Sequence, residues 1–202
     1  MGDKTAFFYG TLMAREILHR VLYGPSFSLT SPSHAPSQLL ASQLTITPAL
    51  LPSYCRHKVR HADYPGIVAS PAHEVRGTYV TGLTAADVWK LDRFEGDEYA
   101  LEDVTVTLLA DEEGKGEGKK GEQRTTKSYV YTAGRHRLED EEWDYEVFRR
   151  EKLWRWTGQG SDEEYKDVDE AAVKAPGGAA GDSLTHDPTG GRRTILTAGT
   201  HS

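Results

Sequence analysis

Among the residues of this chain that can do chemistry, one carboxylate and one backbone corner stand apart. Glu95 closes the helical pattern Thr84-Ala85-Ala86-Asp87-Val88-Trp89-Lys90-Leu91-Asp92-Arg93-Phe94-Glu95-Gly96. A helix C-terminus disfavours negative charge, and burial beside an aromatic raises a carboxyl pKa, as a general base working near neutral pH requires. Asp92, Arg93, Asp97 and Glu98 surround it, so a solvent-facing Glu at a charged helix end fits these residues better when they are taken alone. The corner is Ala6-Phe7-Phe8-Tyr9-Gly10-Thr11-Leu12, an apolar run of strand length that breaks at Gly10 and passes into helical periodicity over Met13 to Leu22. A strand, a Gly turn and a helix start leave unpaired backbone N–H groups at the positive end of the helix dipole. Such a corner suits a substrate carboxylate or a developing oxyanion. An ordinary strand-to-helix connection remains the better account of these residues by themselves.

Other chemistries find less support. The eight His are scattered, and His57 and His61 fall on an expected strand and its exit, with no helical His pair, so no metal is expected. Cys55 and His57 share a strand face at i and i+2, but a buried, unreactive Cys is the expectation. The Gly-x-Ser-x-Gly elbow of serine hydrolases is missing. The single Cys excludes an internal disulfide and any multi-cysteine zinc site.

A chain of 202 residues is about one domain. Its 37% hydrophobic content and mean hydropathy of −0.60 are polar for a compact domain, which implies that part of the length is not packed. A net charge of −7 argues against general affinity for nucleic acid or anionic membrane. With no apolar signal core and no membrane-length stretch, the chain reads as a soluble, cytoplasmic protein.

The elements that must position Glu95 and the corner follow from periodicity. Ile17, Leu18, Val21 and Leu22 share one helical face, stopped by Gly24 and Pro25. Residues 26–43, rich in Ser and Pro, read as a surface excursion anchored by Leu39 and Leu40. Strand signals follow at Leu44–Pro52, Tyr54–Val59, Ile67–Ala69 and His73–Val80, with Asp63-Tyr64-Pro65-Gly66 as a turn. Thr84 and Asp87 fit a helix N-cap and its third residue. Tyr99–Leu109 and Ser128–Thr132 are expected to pair across a charged, Gly-rich excursion over 111–127. A helix is expected over about Glu141 to Trp156, with Trp143, Val147, Arg150 and Trp154 on one face. The remainder, 158–202, reads as a loosely packed or disordered tail to a domain over 1–157. The expected fold class is α+β, mainly β: a small closed or strongly curled β-barrel with flanking α-helices.

These pieces together resemble the gamma-glutamylcyclotransferase-like superfamily, in the branch with gamma-glutamylamine cyclotransferase and the plant avirulence-induced proteins. The likeness rests on Phe7-Phe8-Tyr9-Gly10-Thr11-Leu12-Met13, Asp63-Tyr64-Pro65-Gly66-Ile67-Val68, and Val80-Thr81-Gly82-Leu83-Thr84. It continues through Leu91-Asp92-Arg93-Phe94-Glu95-Gly96 with Tyr99 beyond, and ends at Trp143-Asp144-Tyr145-Glu146. The resemblance implies a small barrel with a polar cavity at one end. It implies substrate binding at Tyr9, Gly10, Thr11, Leu12 and Tyr99, and Glu95 as catalytic acid/base. The implied partner is a small-molecule γ-glutamyl compound, which closes to 5-oxoproline by intramolecular attack and expels an amine or amino acid, with no cofactor and no metal. The excursions leave the leaving group unspecified. A competing reading is a binding protein that keeps the pocket without turnover.

Overall fold

The structure, a computed structural model, describes residues 2–25, 27, 29, 35–109 and 121–157. Its strands are β1 (Lys4–Phe8), β2 (Thr45–Val59), β3 (Pro65–Leu83), β4 (Tyr99–Leu108), β5 (Gln123–Tyr131) and β6 (Leu138–Glu142). Its helices are α1 (Arg15–Tyr23), α2 (Ala35–Ala41), α3 (Ala85–Glu95), α4 (Tyr145–Glu151) and α5 (Leu153–Trp156). Following the pairings around, β1 joins β3, β3 joins β2, β2 joins β4, β4 joins β5, and β5 returns to β1 in parallel. Five strands therefore close a barrel, and β6 extends the far end of β2.

Closure explains the unbroken apolar run of β1, which is covered on both faces. Phe7 points inward with Ala49, Leu51, Ile67, Val75, Tyr79, Val106 and Val130, a cluster drawn from all five barrel strands and no helix. Ala6 and Phe8 point outward into a second cluster with Leu18, Leu22, Leu91, Phe94, Phe148 and Trp156, where the helices pack on the barrel. The α3 helix starts as expected: Thr84 Oγ1 accepts from Asp87 N–H at 3.1 Å while the Asp87 carboxylate accepts from Thr84 N–H at 2.8 Å. Lys90 ties α3 to α1 by donating to the Leu22 carbonyl.

Several expectations are corrected. The strand fragments on either side of Pro52 are one strand of 15 residues, with a bulge where Ser53 takes φ +64. Pro52 sits at that bulge and Pro48 at the end of the short β2–β4 pairing, positions where a missing N–H disturbs the ladder least. Likewise Ile67–Ala69 and His73–Val80 are parts of one strand of 19 residues, β3. The turn before it has its left-handed residue at His61, φ +63, while Gly66 is a strand residue paired with His57. Gly66 is needed for close approach, since a Cβ there would lie 2.7 Å from the Tyr131 ring. Leu39 and Leu40 lie in α2, within the expected excursion, and are exposed and not anchoring. Ladder pairing with β4 extends β5 back to Gln123, into the expected 111–127 excursion; 110–120 lie outside the described residues. The closing helix is shorter than expected. Pairing with β2 claims residues through Glu142 for β6, Asp144 caps α4 by accepting from Glu146 and Val147 N–H, and Lys152 breaks α4 from α5. Its buried face carries Phe148 and Trp156, while Val147 and Trp154 are 38% and 49% exposed. The tail expected over 158–202 lies outside the described residues. Among the described residues no helix is long and apolar enough to cross a membrane.

Candidate active site

At the end of β1 the ladder with β3 stops at Phe8, paired with Thr78. Tyr9 and Gly10 then leave the barrel and a 3-10 turn, Thr11–Met13, redirects the chain before α1 starts at Arg15. The corner is therefore two steps, a 3-10 turn and then a helix, where the sequence suggested one. Met13 N–H donates to Gly10 C=O and Ala14 N–H to Thr11 C=O, at 3.0 and 3.1 Å. The N–H groups of Gly10, Thr11 and Leu12 have no acceptor among the described residues, as the first residues of such a turn must. Space at Gly10 is tight: a Cβ there would sit 3.0 Å from the Pro65 ring, which would have to give way.

These residues form one wall of a cavity that opens to solvent. The opposite wall comes from the end of α3 and the start of β4, with Phe94, Glu95, Glu98 and Tyr99. Tyr64 and Pro65 enter from the β2–β3 turn, Tyr129 from β5 and Trp156 from α5. All six residues singled out in the sequence, Tyr9, Gly10, Thr11, Leu12, Glu95 and Tyr99, line this one cavity.

The two glutamates on the wall differ. Glu98 is compensated: Arg137 Nη1 lies 2.6 Å from its carboxylate and Tyr64 Oη donates to it at 3.0 Å. The Glu95 carboxyl has no hydrogen bond to any described residue. It is half-buried by accessible surface and lines the cavity. Burial, and secondly the negative charge of Asp92 one helical turn back, push its pKa up to about 8. Tyr129 connects the network, donating to Asp92 Oδ1 at 2.7 Å and offering its carbonyl to the Tyr9 hydroxyl at 2.6 Å. Tyr99 donates to the Pro65 carbonyl at 2.9 Å. Burial holds the Tyr9 and Tyr99 phenols well above their ordinary pKa, with the Glu95 charge adding to both. Both stay neutral, with their protons already committed. The site thus combines unpaired N–H donors on one wall with one uncompensated carboxyl on the other, which suits an anionic group held beside a proton transfer.

Tyr64, Glu98, Tyr129 and Trp156 also line the cavity. Tyr64 stood in a motif already noted, but no local pattern marks Tyr129 or Trp156, whose placement depends on barrel closure and on α5. Cys55 was expected to be buried and inert; it is half-buried, with Sγ 2.9 Å from His57 Nε2, and does not line the cavity. No group of three or more His, Cys, Asp and Glu among the described residues could hold a metal ion.

Residues 6–145 match the family model for gamma-glutamyl cyclotransferase, AIG2-like. The chain is similar to Protein AIG2 C of Arabidopsis thaliana, 31% identical over 102 residues, which are 50% of this chain and 56% of that protein. The chain thus spans little more than half the length of that relative. AIG2-like protein A of the same plant is 28% identical over 141 residues, 70% of this chain and 76% of the relative. A solved structure described as gamma-glutamyl cyclotransferase superposes with a TM-score of 0.48 at 16% identity, covering 89% of this chain and 92% of that one.

Proposed function

The chain belongs to the gamma-glutamyl cyclotransferase, AIG2-like family, and from that premise we propose that it converts a γ-glutamyl compound into 5-oxoproline and a free amine or amino acid. The observation that carries this reading is Glu95, an uncompensated cavity carboxyl with its pKa near 8, facing a corner of unpaired N–H groups.

In this reading the Gly10, Thr11 and Leu12 amides hold the glutamyl α-carboxylate, and the rings of Tyr9 and Tyr99 flank it. The substrate's α-ammonium has no lone pair, so it first gives a proton to Glu95. The freed amine forms a C–N bond to the γ-carbonyl carbon and closes the five-membered ring. Glu95 passes its proton to the leaving nitrogen, because an amide anion is too basic to depart, and the old C–N bond breaks. The ring nitrogen still carries one extra proton, which moves through Glu95 to the departing amine. Atoms and charge balance with no added reagent. The tethered nucleophile supplies much of the rate through its effective concentration.

Purified protein incubated with γ-glutamyl amino acids, γ-glutamyl-ε-lysine and glutathione, and assayed for 5-oxoproline, tests the reading. Product from at least one of them is expected. Bound ligand without product from any would favour the binding protein.

A further inference from the structure

Behind the corner, on the side away from the cavity, lies a basic residue that the reaction above does not use. Arg56 sits on β2, 47 positions from Tyr9 in sequence, with its side chain only 10% exposed. Its Nη1 donates to the Tyr9 carbonyl at 2.9 Å and to the Arg76 carbonyl at 3.3 Å. Its Nη2 reaches Glu142 Oε1 at 3.4 Å, and its guanidinium lies 5.4 Å from the centre of the Trp143 ring. The head group is thus fixed on several sides.

The Tyr9 carbonyl lies beyond the β1–β3 pairing, which ends at Phe8. In a trans peptide the C=O of one residue and the N–H of the next point in opposite directions, and the peptide bonds here are all trans. Anchoring the Tyr9 carbonyl on the far side therefore aims the Gly10 N–H the other way, and Gly10 lines the cavity. A charged donor on the carbonyl also polarises the peptide and strengthens the N–H opposite it. We propose that Arg56 is a positioning residue: it orients and polarises the Tyr9–Gly10 peptide, so that the corner presents its amides to an anionic group of the substrate. The binding consequence rests on the cyclotransferase reading; the orientation of the peptide does not.

Two variants separate the roles. Arg56→Met removes the donors and the charge while keeping an apolar stem. Arg56→Lys restores a charged donor. Lys58→Met, two residues along the same strand, removes a cation whose partner is Glu139 at 3.4 Å and serves as the control. On a γ-glutamyl compound that the parent turns over, Arg56→Met should raise KM by about ten- to a hundredfold, the range for losing a hydrogen bond to a charged group. The Lys variant should recover part of the loss and Lys58→Met should leave KM unchanged. The pH profile should keep its midpoint in every variant, because Arg56 does not face Glu95. An unchanged KM in a folded Arg56→Met protein would overturn the substrate-binding role.

A second readout needs no turnover. In ¹⁵N spectra of the free protein, the Gly10 and Thr11 amides of Arg56→Met should shift and lose order, while the barrel amides and those of Lys58→Met stay in place. Unmoved Gly10 and Thr11 resonances would overturn the orientation itself. If the spectra respond and no γ-glutamyl compound yields 5-oxoproline even with the parent, the cyclotransferase reading fails and the positioning role stands.

Discussion

The two walls of the cavity are built on opposite principles. The Tyr9–Leu12 wall offers main-chain N–H groups, present whatever the side chains are, so its function depends on the path of the backbone. The Glu95 wall offers one carboxyl whose chemistry depends on its surroundings, beside a Glu98 already held by Arg137 and Tyr64. Side-chain substitutions should therefore act sharply on one wall and weakly on the other, unless they move the backbone.

The strongest test of that contrast is Glu95→Gln, which keeps the size of the side chain and removes the proton acceptor. Turnover should fall by about two to four orders of magnitude with folding intact, read from kcat on an accepted substrate. Near-normal kcat would mean that the carboxyl wall is not the catalytic one. On the other wall, Gly10→Val presses a branched side chain onto Pro65 and displaces the corner, so kcat/KM should drop by about tenfold or more, whereas Thr11→Ser, which leaves the backbone alone, should change it little. Equal losses from the two would end the claim that backbone path is what matters there.

Smaller effects concern proton affinity. The activity of the free enzyme should rise with pH through a midpoint near 8, where Glu95 becomes the base. Asp92→Asn removes the neighbouring charge and should move that midpoint down. Stability follows the opposite trend. A carboxyl whose folded pKa lies above its unfolded value of 4.5 binds more protons when folded, so its contribution weakens as pH rises from about 4.5 to about 8. Glu95→Gln should consequently melt higher than the parent at pH 8 and nearly match it at pH 4, measured by calorimetry. Asp97, exposed beyond the end of α3, should give the smallest effect of all: Asp97→Asn is expected to leave kcat, KM and the pH midpoint unchanged.

How far the sequence could be read varied with the range of the interactions involved. The Thr84–Asp87 capping box is local, spanning three residues, and so was visible as a pattern. The same holds for the break at Gly10 and the apolar run before it. The long strands β2 and β3 were read as fragments because Pro and Gly are local stop signals, and only the pairing of β2 with β3, which tolerates a bulge at Ser53, overrides them. The stretch from Glu141 to Trp156 reads as one helix, yet pairing with β2 takes its first residues, through Glu142, into β6.

By itself, then, the sequence determined what short-range physics controls: the break at the corner, the start and stop of α3, and the likeness carried by the motifs around Gly10 and Glu95. Tertiary structure alone decided that Glu95 lines a cavity, and that Asp92, read as one of several neighbouring charges, is bound to Tyr129. It likewise decided that Arg56 reaches the Tyr9 carbonyl. The reason is that desolvation and hydrogen-bond geometry are set by atoms from α5, β5 and the β2–β3 turn, which become neighbours of the site only when the barrel closes.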